Sequence, residues 1–241
     1  MHPLVRTARA TGLWYLGIAI TGMLGFLLIR PRLFVAGEPQ TTLAHLVEQP
    51  SLARIGIALE LGIVITQALA ALWFYRLFRS IDTVAAGALA AFAFVNAIAI
   101  LVSAAFLATA LQVALDPTLA PAGDAAATAQ LSYILSGHMW GVGALFFGLW
   151  LIPMGWLVVR SAWMPKPLGW ILVVGGAGYV LSAFVGYLAP GARTVADALT
   201  IPASVGEFWI IGYLLTIGVR RSKTSNGSAT LVAHDKATTP A

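Results

Sequence analysis

The chain has no cysteine among its 241 residues. That excludes a disulfide framework, thiolate catalysis, and Cys-ligated zinc or iron–sulfur centres. Charge is almost as scarce. Only 10% of the residues are charged and 59% are hydrophobic, whereas a soluble domain carries about 25% charged residues. So few charges cannot cover a soluble surface, so lipid must be part of the solvent. Histidine is rare too. His2, His45 and His234 lie outside the apolar runs and leave His138 as the one histidine inside one, so there is no bis-histidine pattern for haem. No HExxH, HxxxH, GxSxG or Walker sequence occurs, so no nucleotide-binding signal is present. The net charge of +5 is carried mostly at the ends of apolar runs, as membrane topology requires. It does not indicate nucleic acid.

What is present is a succession of apolar runs, each able to cross a bilayer, which takes about 20 residues. The pattern predicts an all-α polytopic bundle of six transmembrane helices, at about 12–29, 54–76, 84–113, 132–159, 168–188 and 198–219. The six form one transmembrane domain over 1–221, followed by a polar tail over 222–241 that is predicted to be disordered. The first run is too long for a signal peptide and ends in Arg30-Pro31-Arg32 instead of small residues, so it reads as a retained helix. Between the first two spans, Thr41–Gln49 reads as a short interfacial helix with Leu43, Leu46 and Val47 on one side.

Orientation follows from the basic residues. With the N-terminus inside, the inner segments hold Arg6, Arg9, Arg76, Arg79, Arg160, Lys166, Arg220, Arg221, Lys223 and Lys236. The outer ones hold Arg30, Arg32, Arg54 and Arg193. The imbalance predicts a multi-pass protein of the cell membrane with both termini cytoplasmic.

The stretch Gly137–Arg160 poses the main chemical question, because it carries His138 near one end and Pro153 near the other. Glu60 and Glu207 are the other ionisable residues at membrane depth. Each charged group there costs about 2.5–3.5 kcal/mol on insertion scales. The topology places all three in the outer half, where two carboxyls and an imidazole can share protons. Glu60, His138 and Glu207, rimmed by Arg54 and Arg32, are therefore the candidate ligand- or proton-binding set. One His and two carboxylates also suit a divalent metal. Gln67 falls on the face of Glu60, and Asn96 and Ser103 share a face of the third span, all by seven-residue spacing. These read as interhelical hydrogen-bond partners. Gly178, Ser182 and Gly186, and Gly137 with Gly141, read as stripes for close helix approach.

Several local patterns occur together in a fixed order. They are Arg30-x-Arg32-Leu33, Arg54-x-Gly56 with Glu60-Leu61, Tyr75-Arg76-Leu77-Phe78-Arg79, and His138 with Gly141 and Phe146-Phe147-Gly148-Leu149. Pro165-x-Pro167-Leu168-Gly169, Gly178-Tyr179, and Ile201-Pro202 with Gly206-Glu207 follow. From about Arg9 to Val219 the chain resembles the bacterial membrane proteins grouped as domain of unknown function 4386. The third span departs from that pattern, being nearly all Ala, Phe and Val where the family often has more polar residues. The resemblance implies a six-helix integral membrane architecture and no particular activity. Arg54, Glu60, His138 and Glu207 are among the residues it shares.

Three functional classes fit this reading. The first is a membrane protein with a polar outer-half pocket that holds a small ligand, a cation or a proton. The second is an intramembrane enzyme, metal-assisted, acting on an apolar or lipid substrate. The third is a structural or regulatory partner of other membrane proteins, which the sequence does not name. The lipid bilayer is the partner common to all three.

Overall fold

The computed structural model describes residues 3–219. The tail lies outside the described residues. Among the described residues there is no strand, and six helices are long and apolar enough to span a membrane. These are α1 (Pro3–Leu33), α3 (Pro50–Phe78), α4 (Thr83–Leu115), α5 (Ala125–Arg160), α6 (Lys166–Leu188) and α7 (Arg193–Thr216). The short α2 (Pro39–Glu48) lies between α1 and α3.

Local chemistry sets where the helices begin. Asp82 caps α4 by accepting from the Ala85 amide at 3.0 Å, and Asp124 caps α5 by accepting from Ala127 at 2.8 Å. Proline occupies the first turn of α2, α3 and α6, where a missing N–H costs nothing. The helices run further than hydropathy alone predicts. The capped start of α5 lies well before Gly137, so His138 is 13 residues inside its helix instead of near an end. Two helices are interrupted. Within α1, Leu24–Ile29 is π-helical, and the Arg30 amide donates to the Gly25 carbonyl. Within α7, the chain breaks at Thr200 between Arg193–Leu199 and Ile201–Thr216. α5 continues through Pro153 as one helix.

The helices close into a ring in which α1 packs on α3, α3 on α4, α4 on α5, α5 on α6, α6 on α7, and α7 back on α1. An aromatic core fills the end that carries the N-terminus. There Tyr15 meets Phe74 and Trp150 edge-on at 5.5 and 5.3 Å. A second apolar cluster, with Leu33, Leu46, Leu107, Leu111 and Tyr133, fills the opposite end. α2 contributes Leu46 to it and packs Leu43 nearby, while Val47 is half exposed. Outward-facing Leu13, Leu27, Ile65, Ile98, Leu131 and Leu181 form the lipid-facing belt.

The tightest helix approach is at Gly178 of a predicted stripe, where a Cβ would fall on the Leu199 carbonyl oxygen of α7. Further close approaches involve glycines outside the stripes. A Cβ on Gly148 would lie 2.5 Å from the Gly176 carbonyl oxygen, and one on Gly169 would lie 2.6 Å from that of Gly155. These reciprocal pairs set α5 against α6 backbone to backbone. Gly186, in the same stripe as Gly178, faces open space. Gly155→Ala is therefore expected to destabilise the protein by about 1–3 kcal/mol through overpacking. Gly87→Ala, with nothing among the described residues within 4 Å of the new Cβ, should be neutral or stabilising. Thermal unfolding in detergent compares them, and an unchanged midpoint for Gly155→Ala would refute the close approach.

Candidate functional site

Five buried polar residues, Glu60, Gln67, Asn96, Ser103 and Ser136, converge between the two apolar clusters. Glu60 of α3 is only 5% exposed. Its Oε1 accepts from Ser103 Oγ of α4 at 3.2 Å and from Trp140 Nε1 of α5 at 3.1 Å. Ser103 also shares a 2.8 Å hydrogen bond with Ser136 of α5. Arg30 reaches in from α1, donating to Ser136 Oγ at 3.1 Å and to the Tyr133 carbonyl at 2.9 Å. Its guanidinium carbon lies 5.4 to 5.9 Å from the ring centroids of Phe26, Phe34 and Tyr133. Gly137 leaves space for it, since a Cβ there would be 3.2 Å from Arg30 Nη2. Arg30 and Glu60 both line a cavity of about 20 Å³, enough for one water. Glu60 Oε2 is buried with no hydrogen-bond partner among the described residues. One layer deeper on the same faces, Asn96 Nδ2 donates to Gln67 Oε1 at 3.2 Å. The hydrogen-bonding roles predicted for Gln67, Asn96 and Ser103 are those the structure shows.

Glu207 of α7 lies elsewhere. It accepts from the Tyr15 hydroxyl at 2.5 Å, and Tyr15 is its one hydrogen-bond partner among the described residues. Tyr15 packs against Trp150, whereas Glu60 is bonded to Trp140. Those ten helical residues of α5 correspond to about 15 Å, so the two carboxyls occupy different levels. Glu207 and Tyr15 form the floor of a cleft of about 320 Å³ between α1 and α7. Its wall includes Phe26, Ile63, Trp140 and Phe147, and Tyr179 and Ser204 add the remaining polar edge. The exposed Met23, Leu27 and Phe208 at its mouth show that it opens sideways, toward lipid. Trp140 thus belongs to both places, lining the cleft with its ring and holding Glu60 with its N–H.

His138 joins neither. Ser136 and Trp140 face the bundle interior, and a residue two positions from each lies on the opposite side of a helix. His138 is exposed, and its ring centroid is 6.5 Å from that of Tyr187 on α6. Arg54 is exposed near the start of α3 and Arg32 is exposed on α1, so neither rims the Glu60 site. The predicted three-residue cluster therefore resolves into three places. Among the described residues, no group of three His, Asp or Glu side chains is arranged to hold a metal ion, so Glu60, His138 and Glu207 do not make a common ligand set.

Sequence reasoning missed four contributors. Arg30 looked like a topology charge, although it directly follows a long apolar run and precedes a proline. Ser136 and Trp140 are four apart and so share a face, a signal that outweighs the single histidine between them. Tyr15 carried no signal beyond being a tyrosine inside an apolar run.

The chain belongs to the family described as Domain of unknown function (DUF4386), whose model matches residues 10–218. No curated protein and no solved structure matches it. The match takes in every residue of the Arg30–Glu60 network and of the cleft.

Removing one member of a buried charge network leaves the other uncompensated, which costs several kcal/mol. Arg30→Gln and Glu60→Gln are each expected to destabilise by at least about 2 kcal/mol, and the double variant by clearly less than the sum. Unfolding midpoints of the four proteins give the coupling. Effects that add within about 0.5 kcal/mol would show that the two residues do not interact.

Proposed function

We propose that this member of the family is a small-molecule binding protein of the bacterial inner membrane. Its ligand is an apolar molecule carrying one hydrogen-bond donor or cationic group, taken up from the lipid phase into the cleft between α1 and α7. One observation carries this reading: Glu207, tied through one oxygen to Tyr15, is the acidic floor of a cleft whose walls are largely apolar. A volume of about 320 Å³ falls within the usual 300–1,000 Å³ of small-molecule sites. Apolar walls would bury the body of the ligand, and the carboxyl would fix its polar end. Gly22 keeps the α1 side of the cleft open, since among the described residues its Cβ position meets only Ile63 Cδ1, at 4.0 Å.

The orientation that goes with this reading places both termini in the cytoplasm. Arg6, Arg9, Arg76, Arg79, Arg160 and Lys166 gather at one end of the ring. At the other end Arg30 is turned inward by its hydrogen bonds, leaving Arg32, Arg54 and Arg193 at that surface. The cleft then lies across the outer and middle depths of the bilayer.

Two measurements test the proposal. The first uses 1-aminoanthracene and anthracene as fluorescent probes of the detergent-purified protein. The amine should bind saturably and more tightly than the hydrocarbon. Glu207→Ala should weaken the amine about tenfold, the loss of a hydrogen bond to a charged group, and leave anthracene unchanged. Gly22→Leu should abolish both. Equal binding of the two probes removes the role of Glu207, and unchanged binding by Gly22→Leu removes the cleft. The second uses the absence of native cysteine. Ala122→Cys, in the α4–α5 loop, should react with an impermeant maleimide in intact cells. Ser80→Cys, in the α3–α4 turn, should react only after permeabilisation. The opposite pattern would invert the orientation.

A further inference from the structure

The residues around His138 form a second groove, bordering the Glu207 cleft at Tyr179, where α5, α6 and the outer piece of α7 meet. It measures about 460 Å³ and is lined by His138, Ser182, Tyr187, Arg193, Asp197 and Thr200 among others. It is more polar than the Glu207 cleft, and it sits at the end of the ring where α6 stops at Leu188 and α7 begins at Arg193. An apolar trough of about 290 Å³ adjoins it, lined by Val142, Leu145, Ala183, Phe184, Tyr187 and Leu188. Ala183 and Tyr187 border both. A polar recess at a helix end therefore continues into an apolar channel along the lipid-facing side of α5 and α6. That is the form of a phospholipid, head and tail.

The charges narrow the class. Arg193 and Asp197 are both exposed and sit four residues apart on one face of a single helical turn. Among the described residues no ion pair joins them, and an arginine preceding an acid at this spacing is the weaker order for pairing. Each charge is thus presented to the groove. Arg193, the Tyr187 hydroxyl and His138 supply donors. The Ser182 hydroxyl donates to the Tyr179 carbonyl and the Thr200 hydroxyl to that of Asp197, each at 2.8 Å. Those two oxygens are left as acceptors beside the Asp197 carboxylate. One cation with donors, together with one anion with acceptors, complements a head that carries both signs.

The geometry points to a binding site for one zwitterionic phospholipid whose head bears a phosphate and a primary ammonium, distinct from the cleft at Glu207. Arg193, Tyr187 and His138 receive the phosphate, Asp197 with Thr200 and Ser182 receives the ammonium, and one acyl chain lies in the trough beside Phe184. Gly186 keeps the groove open, because among the described residues nothing lies within 4 Å of a Cβ placed there.

Native mass spectrometry of the full chain in detergent tests this with phosphatidylethanolamine and phosphatidylglycerol of the same acyl chains. The wild type should retain the ethanolamine lipid roughly fivefold more tightly, about the effect of one interfacial charge. Asp197→Asn should erase that preference without weakening the glycerol lipid. Arg193→Gln should weaken both roughly fivefold. Gly186→Leu, which projects into open space and so leaves the fold intact, should displace both. Glycerophosphoethanolamine, the head without tails, should not compete at matched concentration. Equal retention of the two lipids, a preference for the glycerol lipid, insensitivity to Gly186→Leu, or effective competition by the tail-free head would each overturn the proposal.

Discussion

A guanidinium that cannot give up its proton sits inside this bundle, and much of the interior is arranged around it. Arg30 obtains its partners from two other helices, α3 and α5, and from its own end of α1. The Tyr133 carbonyl and Ser136 accept from it, Glu60 shares its cavity, and Phe26, Phe34 and Tyr133 surround it with aromatic rings. An interhelical hydrogen bond in a membrane contributes on the order of 0.6 kcal/mol, so no single contact explains the burial. The alternative does: an unsatisfied charge costs up to about 2.5–3.5 kcal/mol, the value at the centre of a membrane helix. The network therefore constrains more than it stabilises. Any rearrangement of α1, α3, α4 or α5 that separates these partners leaves Arg30 in apolar surroundings.

That constraint explains which parts of the site were legible. The six spans were plain from hydropathy, and so were the faces of α3 and α4, because Glu60 with Gln67 and Asn96 with Ser103 repeat at seven residues. The error over His138 came from assuming that polar residues inside a membrane all turn inward. α5 has to present Ser136 and Trp140 to the interior, so the helical turn sends His138 outward. A depth argument fixes height but not azimuth, and it treated Glu60, His138 and Glu207 as equivalent when they lie around the ring on three different helices. The ends of the helices were misjudged for another reason. Caps such as Asp124 extend α5 through residues of ordinary polarity that hydropathy leaves to the loop.

The seam between α1 and α7 is the least uniform part of the ring. Near the N-terminus it is tight: Gly12 leaves no space before Leu214 and Leu215, and Gly218 faces Val5 and Ala8. Past Tyr15 it opens into the cleft. The same seam carries both helix interruptions, the π-helical segment of α1 and the break at Thr200 in α7. Phe26 and Trp140, packed edge-on at 4.6 Å, separate the cleft from the Arg30–Glu60 cavity, and Phe26 borders both spaces. A molecule in the cleft would rest against the tryptophan that holds Glu60, so its occupancy would be felt by the network.

The π-helical segment also bears on how this chain tolerates changes in length. A π turn is an α-helix with one extra residue accommodated in place. Loss of one residue between Leu24 and Ile29 would therefore restore regular winding while leaving Tyr15 and Ile18 facing the core and Arg30 facing its partners. The same loss between Ile18 and Met23, in regular helix, would instead rotate everything upstream by about 100° relative to Arg30. Either Tyr15 and Ile18 would then leave the core, or Arg30 would swing into the hydrocarbon. The π-helical segment is thus a place where α1 absorbs a change in length.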